Sequence, residues 1–484
     1  MRAAHRRGAA SRRQHRRRFS RASCGQCTKL RAENERLRKE NDQLRTDNAR
    51  LRERLAETER AGKRQAAPFS KGEPKKEPKL PGRKPGRDYG IRARRWVPDH
   101  VDEVYDVLPP SRCPDCGDVV EDDHVVSQYQ EDIPPVNPIV RRFDIHIGRC
   151  VRCKRRVRRR HPLQTSDAVG AAGVQVGPHA LALAADLNKR IGVPFGKLSS
   201  VFFTAFSLSI TRGGLSLALH RVASVLTPTY DALVRQVQQA PLVASDETGW
   251  RVGGHLHWLW VFVTNRVTVY RIMAGRGYEE ACTVLGTDFD GNLLRDGWSP
   301  YRRFEHATHQ TCLNHLITRC VENLQTAQRG TARVPYTILR ILYRALHLRD
   351  HWVDHPPTVH GRAVHAGRII AAMHRLLAWN PTEDENRKLI KHLRKERTAL
   401  FTFLYDPTVP ATNWWGEQAI RPAVVTRKIW GGNRTAVGAA TQQTIASFLR
   451  TCYQQRVEPC PILEDLLRSP AIGLAPLPSL ASGP

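Results

Sequence analysis

Two short apolar runs in this sequence each end on an aspartate. Leu242-Val243-Ala244-Ser245 leads into Asp246, and Asn292-Leu293-Leu294-Arg295 leads into Asp296. An apolar run of this length predicts a β-strand, here one that delivers a carboxylate. A third acid, Glu417, stands between Asn413 and Arg421 at intervals of four, so on a helix the three share one face. Carboxylates brought together can hold two divalent ions about 3.5–4 Å apart, which stabilise the attacking and leaving oxygens when a phosphodiester is cut or transferred. All-oxygen donors select Mg2+ or Mn2+. Taken singly, each residue has an ordinary reading: a strand-end aspartate is usually a solvated loop residue, and Glu417 with Arg421 is a common surface pair. Glu247, Asp288 and Asp290 are nearby carboxylates that compete for the same role.

The flanking sequence shows how these groups would be positioned. After Asp246, the turn Gly253-Gly254 separates the first run from 256–264, rich in Trp, Phe and Val, and 266–273 follows, which predicts a three-strand meander. A helical pattern at 278–285 precedes the run ending in Asp296. The stretch 305–405 reads as largely helical and carries Cys312-Leu-Asn-His315 near its start. Those two residues could bind metal, but with no second pair in sequence a packed helix face is favoured. Beyond Glu417, the residues Arg421, Arg427, Lys428 and Arg434, with Trp430, form a basic strip suited to phosphates.

The whole chain is basic, with a formal charge of +31 over 484 residues, which points to a polyanionic partner and first of all to nucleic acid. No apolar run approaches the roughly 20 residues of a membrane span. Residues 1–28 are Arg-rich and lack the apolar stretch of a secretory signal, so a DNA-contacting arm is expected. In 29–60, leucine recurs every seventh residue at Leu30, Leu37, Leu44 and Leu51, with Asn34, Asn41 and Asn48 at the a positions. Glu33, Glu40 and Asp47 would face Arg38, Arg45 and Arg52 of a partner helix, which predicts a parallel two-stranded coiled coil. Residues 61–98 form a basic linker around Arg83, Lys84 and Arg87.

Cys113-Pro-Asp-Cys116 and Cys150-Val-Arg-Cys153, within 99–165, have the spacing of a four-cysteine zinc ribbon, and a strand is expected near 139–147. The eleven cysteines, six of them in C-x2-C pairs, suit a reducing compartment better than a disulfide framework. Residues 166–235 read as helical, and helices over 197–206 and 211–222 could form a helix-turn-helix, though a packing domain fits nearly as well. A Pro- and Ala-rich tail occupies 456–484.

Taken in order, these motifs resemble a bacterial transposase of the insertion-sequence sixty-six family, within the wider DDE class. Asp246-Glu247-Thr248-Gly249-Trp250 resembles the first motif of that family, Asp296-Gly297 followed by Tyr301 the second, and Asn413 to Arg421 followed by Arg427-Lys428 and Gly438-Ala439 the third. Thr412 and Trp414 depart from the family pattern, where aspartate and asparagine are common, so the start of the third motif is altered. The resemblance implies an α/β, ribonuclease-H-like catalytic core at 236–455 with an all-α insertion at about 305–405. It also implies a triad of Asp246, Asp296 and Glu417 on Mg2+ or Mn2+, with structural Zn2+ on the four cysteines. The expected partners are double-stranded DNA, both transposon ends and target, a second or further copies of the chain, and accessory proteins of the same element, with no membrane. The expected location is cytoplasmic, at the nucleoid. Two other readings stand beside it: a dimeric zinc-containing DNA-binding regulator without catalysis, and a ribonuclease-H-like nuclease that hydrolyses without joining.

Overall fold

In the computed structural model, residues 25–62, 96–328 and 330–468 are described. The chain divides into two units, Met1–Lys79 and Leu80–Pro484. In the first, the heptads form one continuous helix, α1 (Gly25–Gly62). Leu37, Leu44 and Leu51 are 47, 55 and 60% exposed along it. Asn48 donates its side-chain amide to the Leu44 carbonyl at 3.1 Å, one turn back. The basic arm, Arg83, Lys84 and Arg87 of the linker, and the tail beyond 468 lie outside the described residues.

From residue 96 the described part of the second unit is low in regular structure, and in it strands β1 (Ile147–Arg149) and β2 (Arg156–Arg158) make a small antiparallel hairpin. The strand expected over 139–147 thus starts only at Ile147, where the Cys150 turn gives it a partner. Three helices follow: α2 (Pro178–Lys189), α3 (Phe195–Phe206) and α4 (Arg212–Gln238). Helix α3 stops where Ser207 turns left-handed, and Thr211 caps α4 by accepting from Gly214 N–H. Helix α4 continues well past the expected end at 222, through Pro228, because Leu226, Tyr230, Leu233 and Val237 keep helical spacing into the core.

A mixed five-stranded sheet comes next: β3 (Leu242–Val252), β4 (His255–Val263), β5 (Thr268–Met273), β6 (Asn292–Arg295) and β7 (Thr308–Thr311), in the order β5-β4-β3-β6-β7. The first three form the expected antiparallel meander, while β6 and β7 join in parallel. Helix α5 (Tyr278–Leu285) links β5 to β6. This mixed α/β architecture is compatible with a ribonuclease-H-like core. The stretch expected to be helical from 305 opens instead with β7, whose Thr-His-Gln-Thr lacks the apolar alternation that marks a strand. It then runs through α6 (Leu313–Gln325), α7 (Arg333–Asp354), α8 (Val359–Leu377), α9 (Asp384–Glu396) and α10 (Thr402–Tyr405). Helices α11 (Trp414–Trp430), α12 (Ala436–Gln454) and α13 (Pro459–Arg468) complete the unit.

Strand alternation divides the core between the two sheet faces. Leu259, Val261 and Val263 of β4 pack with Leu294 of β6, the insertion helices and α11, whereas Trp260 and Phe262 pack with Leu293, the end of α4 and α5. A third cluster joins α2, α3 and the start of α4 to α12 and α13. The open edge of β5 is closed by side chains rather than by another strand. Thr451, Ser447 and Gln443, one turn apart on α12, accept the backbone N–H groups of Thr268, Tyr270 and Ile272 at 3.1, 2.8 and 3.0 Å. Ser447→Ala leaves the buried Tyr270 N–H without an acceptor, and a loss of about 1–3 kcal/mol is expected in denaturant unfolding. A loss below experimental error would remove this ladder from the forces holding the edge.

Candidate active site

The two aspartates are brought together by strand register. Leu242, Val243 and Ala244 of β3 pair in parallel with Asn292, Leu293 and Leu294 of β6. Two residues past the last pair stand Asp246, still within β3, and Asp296, one residue beyond the end of β6. Crevices beyond the carboxyl ends of parallel strands are the usual ligand sites of such sheets. Asp246 lies mid-strand, not at a strand end as expected, because β3 continues to Val252 against β4 alone. Alternation assigns Asp246, like Leu242 and Ala244, to the face that packs with α11, and Glu247, like Val243, to the other.

Glu417 sits in the first turn of α11. The start of this helix is anchored by Asn413, which is fully buried and donates its side-chain amide to Ser245 O at 2.8 Å. Its backbone N–H donates to Cys312 Sγ at 3.1 Å. A Cβ on Gly416 would lie 2.7 Å from Asn413 Oδ1, so glycine is required there. Trp414, one of the departures from the family pattern, is 60% exposed and takes no part in this anchor. Asn413 was expected to share a helix face with Glu417; it is the residue before the helix, and it fastens α11 beside Asp246.

Glu417, Cys312 and His315 are gathered so that one ligand atom of each lies within 4.8 Å of the others. His315, exposed on α6, is pushed up to about 9, first by its hydrogen bond with Cys312 and further by the charges of Glu417 and Asp296. The partner that the sequence did not offer to Cys312 and His315 is therefore Glu417.

Asp246 is pushed up to about 7, chiefly by burial, with the charges of Glu247 and Asp296 adding to the effect. Glu247 is raised by burial and by Asp296. It is also the most heavily engaged of these acids: Arg276 meets it at 2.6 Å and the Tyr301 hydroxyl donates to it at 2.7 Å. Ser245 bonds to the same hydroxyl at 2.8 Å. Arg276 is held between Trp258 and Trp298, at 4.6 and 4.1 Å from their ring centres, and lies 4.0 Å from Asp296. Asp296 in turn accepts the Trp298 N–H at 2.8 Å. Asp288 and Asp290 are exposed before β6.

A carboxyl whose folded pKa is raised destabilises the fold as pH climbs from its unfolded value, near 4, to its folded one, near 7, and adds no further loss above that. His315 has the opposite sign of charge but also a raised pKa, so its stabilisation is present below about 6.5 and is lost as pH rises through about 9. Without added divalent ion, Asp246→Asn is therefore expected to be more stable than the parent at pH 8, by on the order of 1–2 kcal/mol. The advantage should shrink toward pH 5, while the loss of stability above pH 7 persists in both proteins. Melting curves at several pH values check this; a constant difference from pH 5 to 8 would show that Asp246 titrates normally.

Further residues expected at the site have mixed placements. Arg421, Lys428 and Arg434 are exposed. Arg427 turns inward and bonds to Thr248 Oγ1 at 2.9 Å and to the Gly249 carbonyl, so its guanidinium ties α11 to β3. Three features escaped sequence reasoning. Asn433 links β3 to the end of α11 through Trp250 Nε1 at 2.8 Å and the Arg251 carbonyl at 2.8 Å. Glu396 pairs with the buried Arg295, next to Asp296. Gly297 packs against His392, into which a Cβ would run at 2.5 Å.

The two cysteine pairs form matching turns. Gly117 N–H donates to Cys113 O, and Lys154 N–H donates to Cys150 O, both at 2.9 Å, with Gly117 and Lys154 at positive φ. Backbone N–H groups of Cys116 and Cys153 lower the Cys113 and Cys150 thiols, respectively. Cys116 and Cys153 are exposed, and among the described residues the two pairs are not gathered about one centre.

The class these elements define is a mixed α/β protein, with two acids just past the parallel pairing of its sheet and a third in the first turn of an adjoining helix. Residues 173–441 match the family described as Transposase IS66 family, and the chain belongs to that family. An uncharacterized protein, y4qI, of Sinorhizobium fredii (strain NBRC 101917 / NGR234) is 25% identical over 240 residues, covering 45% of this chain and 44% of that protein. The chain thus spans less than half the length of that relative. Among the described residues no helix is long and apolar enough to cross a membrane.

Proposed function

We propose that this chain is a DDE transposase with a ribonuclease-H-like core, which binds the terminal repeats of its element and cleaves and joins DNA strands through Asp246, Asp296 and Glu417. The observation that carries the reading is the β3/β6 register, which sets Asp246 beside Asp296, together with the Asn413–Ser245 bond that fastens the Glu417 helix to the same strand. The donor set fits hard divalent ions. Burial and neighbouring acids make an ionised Asp246 unfavourable by itself, and a bound dication would relieve that cost. Two Mg2+ or Mn2+ ions held there would activate the attacking oxygen and stabilise the leaving one.

The protein's own groups do the positioning. Asn413 fixes the start of the helix that carries Glu417. Arg276, sandwiched between two indoles and bound to Glu247, holds a positive charge beside Asp296 and balances the acidic cluster. Arg421, Lys428 and Arg434 offer exposed cations on and just beyond α11 for the DNA backbone, as do Arg83, Lys84 and Arg87 in the linker. The pre-lowered thiols of Cys113 and Cys150 suit Zn2+ shared with Cys116 and Cys153, which would close the loop between the turns. The leucine face of α1 would pair with a second copy and so bring two transposon ends together.

The deciding experiment is incubation of the full chain with end-bearing DNA, target DNA and Mg2+. Joined products are expected. Hydrolysis without joining would favour a nuclease, and binding without cleavage a DNA-binding regulator.

A further inference from the structure

We propose that Cys312, His315 and Glu417 form a second kind of metal site, for a thiophilic dication of the Zn2+ class, and that an ion bound there withdraws Glu417 from the hard-metal site. The competition rests on the function proposed above; the site itself does not.

Four observations carry it. The sulfur, imidazole nitrogen and carboxylate oxygen already lie within 4.8 Å of one another. Tetrahedral zinc with its usual bond lengths would hold them roughly 3.3–3.7 Å apart, so about an ångström of side-chain rotation closes the set. Cys312 precedes α6 and His315 lies in its first turn, so the pair is presented by one rigid element. The Asn413 N–H on Cys312 Sγ is the kind of hydrogen bond that stabilises a ligating thiolate. His315 is exposed, which leaves the fourth position open to water or another ligand.

Donor chemistry makes the site selective. Thiolate and imidazole prefer zinc-class ions, whereas Mg2+ takes oxygen ligands and would leave the sulfur unused. Glu417 is the only member that both sites need. In the structure its carboxylate is in reach of Cys312 and His315, and the charges of Glu417 and Asp296 both fall on His315. The imidazole thus feels both the helix-borne acid and Asp296. An ion on Cys312 and His315 would hold Glu417 on their side.

The test uses the full chain, dialysed in zinc buffer and assayed for metal content. The parent should hold one more zinc per chain than His315→Ala or Cys312→Ser, whatever the other cysteines bind. His315 is exposed on its helix, so its variant should fold even if Cys312→Ser does not. Equal zinc in the parent and His315→Ala overturns the site. For the competition, Mn2+ binding is followed by electron paramagnetic resonance. Zinc should weaken Mn2+ binding in the parent at least about tenfold, the lower range for disturbing even an outer partner of a metal. It should leave Mn2+ binding to His315→Ala unaffected. Mn2+ affinity in the parent that is indifferent to zinc overturns the competition. Mn2+ binding that is absent, or equal in the parent and Asp246→Asn, refutes the hard-metal reading and the competition with it, while the zinc difference still decides whether the site exists.

Discussion

Asp246→Asn is expected to lower Mg2+-dependent cleavage of transposon-end DNA by at least about 10²–10³-fold, the range for losing one group that stabilises transition-state charge. Affinity for the same DNA should be unchanged. The separation follows from position. Asp246 lies within β3, on the face toward α11. The cations proposed above for the DNA backbone, Arg421, Lys428 and Arg434, are exposed on and just beyond α11. The amide of asparagine can still accept the Glu247 N–H that Asp246 Oδ1 accepts at 2.9 Å, so the strand should not distort. Loss of one negative charge is then the change at the proposed site. Asp288→Asn, in the exposed loop before β6, serves as the comparison and should cleave at the parental rate. Full cleavage by Asp246→Asn would remove that carboxylate from the chemistry and return Glu247 to consideration. That alternative is disfavoured because the Glu247 carboxylate is already occupied by Arg276 and Tyr301.

What could be read in the sequence was whatever left a local pattern. The meander is legible because Gly253-Gly254 breaks two alternating runs, and β6 because Leu293-Leu294 is apolar on both faces. Strand β7 is illegible because Thr-His-Gln-Thr is made a strand by its parallel neighbour, not by its own composition. The far end of α4 was hidden by Pro228, which reads as a stop although the buried positions beyond it hold the helix. The acids at 246, 296 and 417 were singled out by their resemblance to family motifs, yet what surrounds each of them could not be read locally. It depends on Asn413 reaching Ser245 and on Cys312 lying beneath the Asn413 N–H, contacts between segments far apart in the chain. Arg427 shows the converse. Its basic character suggested phosphate, and only packing reveals that it bonds to Thr248 and the Gly249 carbonyl.

Glu396 is the clearest case of a residue whose role packing alone creates, and its replacement should have the largest effect on stability. In a helix as charged as α9 it reads as one more solvated acid, yet its side chain is fully buried. It pairs with Arg295, itself 1% exposed, and accepts from Arg302 at 2.6 Å and Thr311 at 2.8 Å. Burial alone would push its pKa up, but Arg295, Thr311 and Arg302 outweigh that and hold it below the ordinary carboxylate value. Glu396→Ala strands the Arg295 charge in the core, and a loss of about 3–5 kcal/mol is expected, read as a lower denaturant midpoint. Replacing both partners, Arg295→Met with Glu396→Leu, should recover most of that stability, since the buried charge disappears with its partner. Arg295 also donates to the Asp296 carbonyl at 2.9 Å, which sets the backbone from which the second acid projects. The double variant should therefore fold well and still cleave poorly. A loss under about 1 kcal/mol in Glu396→Ala, the scale of an exposed pair, would mean that water reaches Arg295 and that the network does not hold the end of β6.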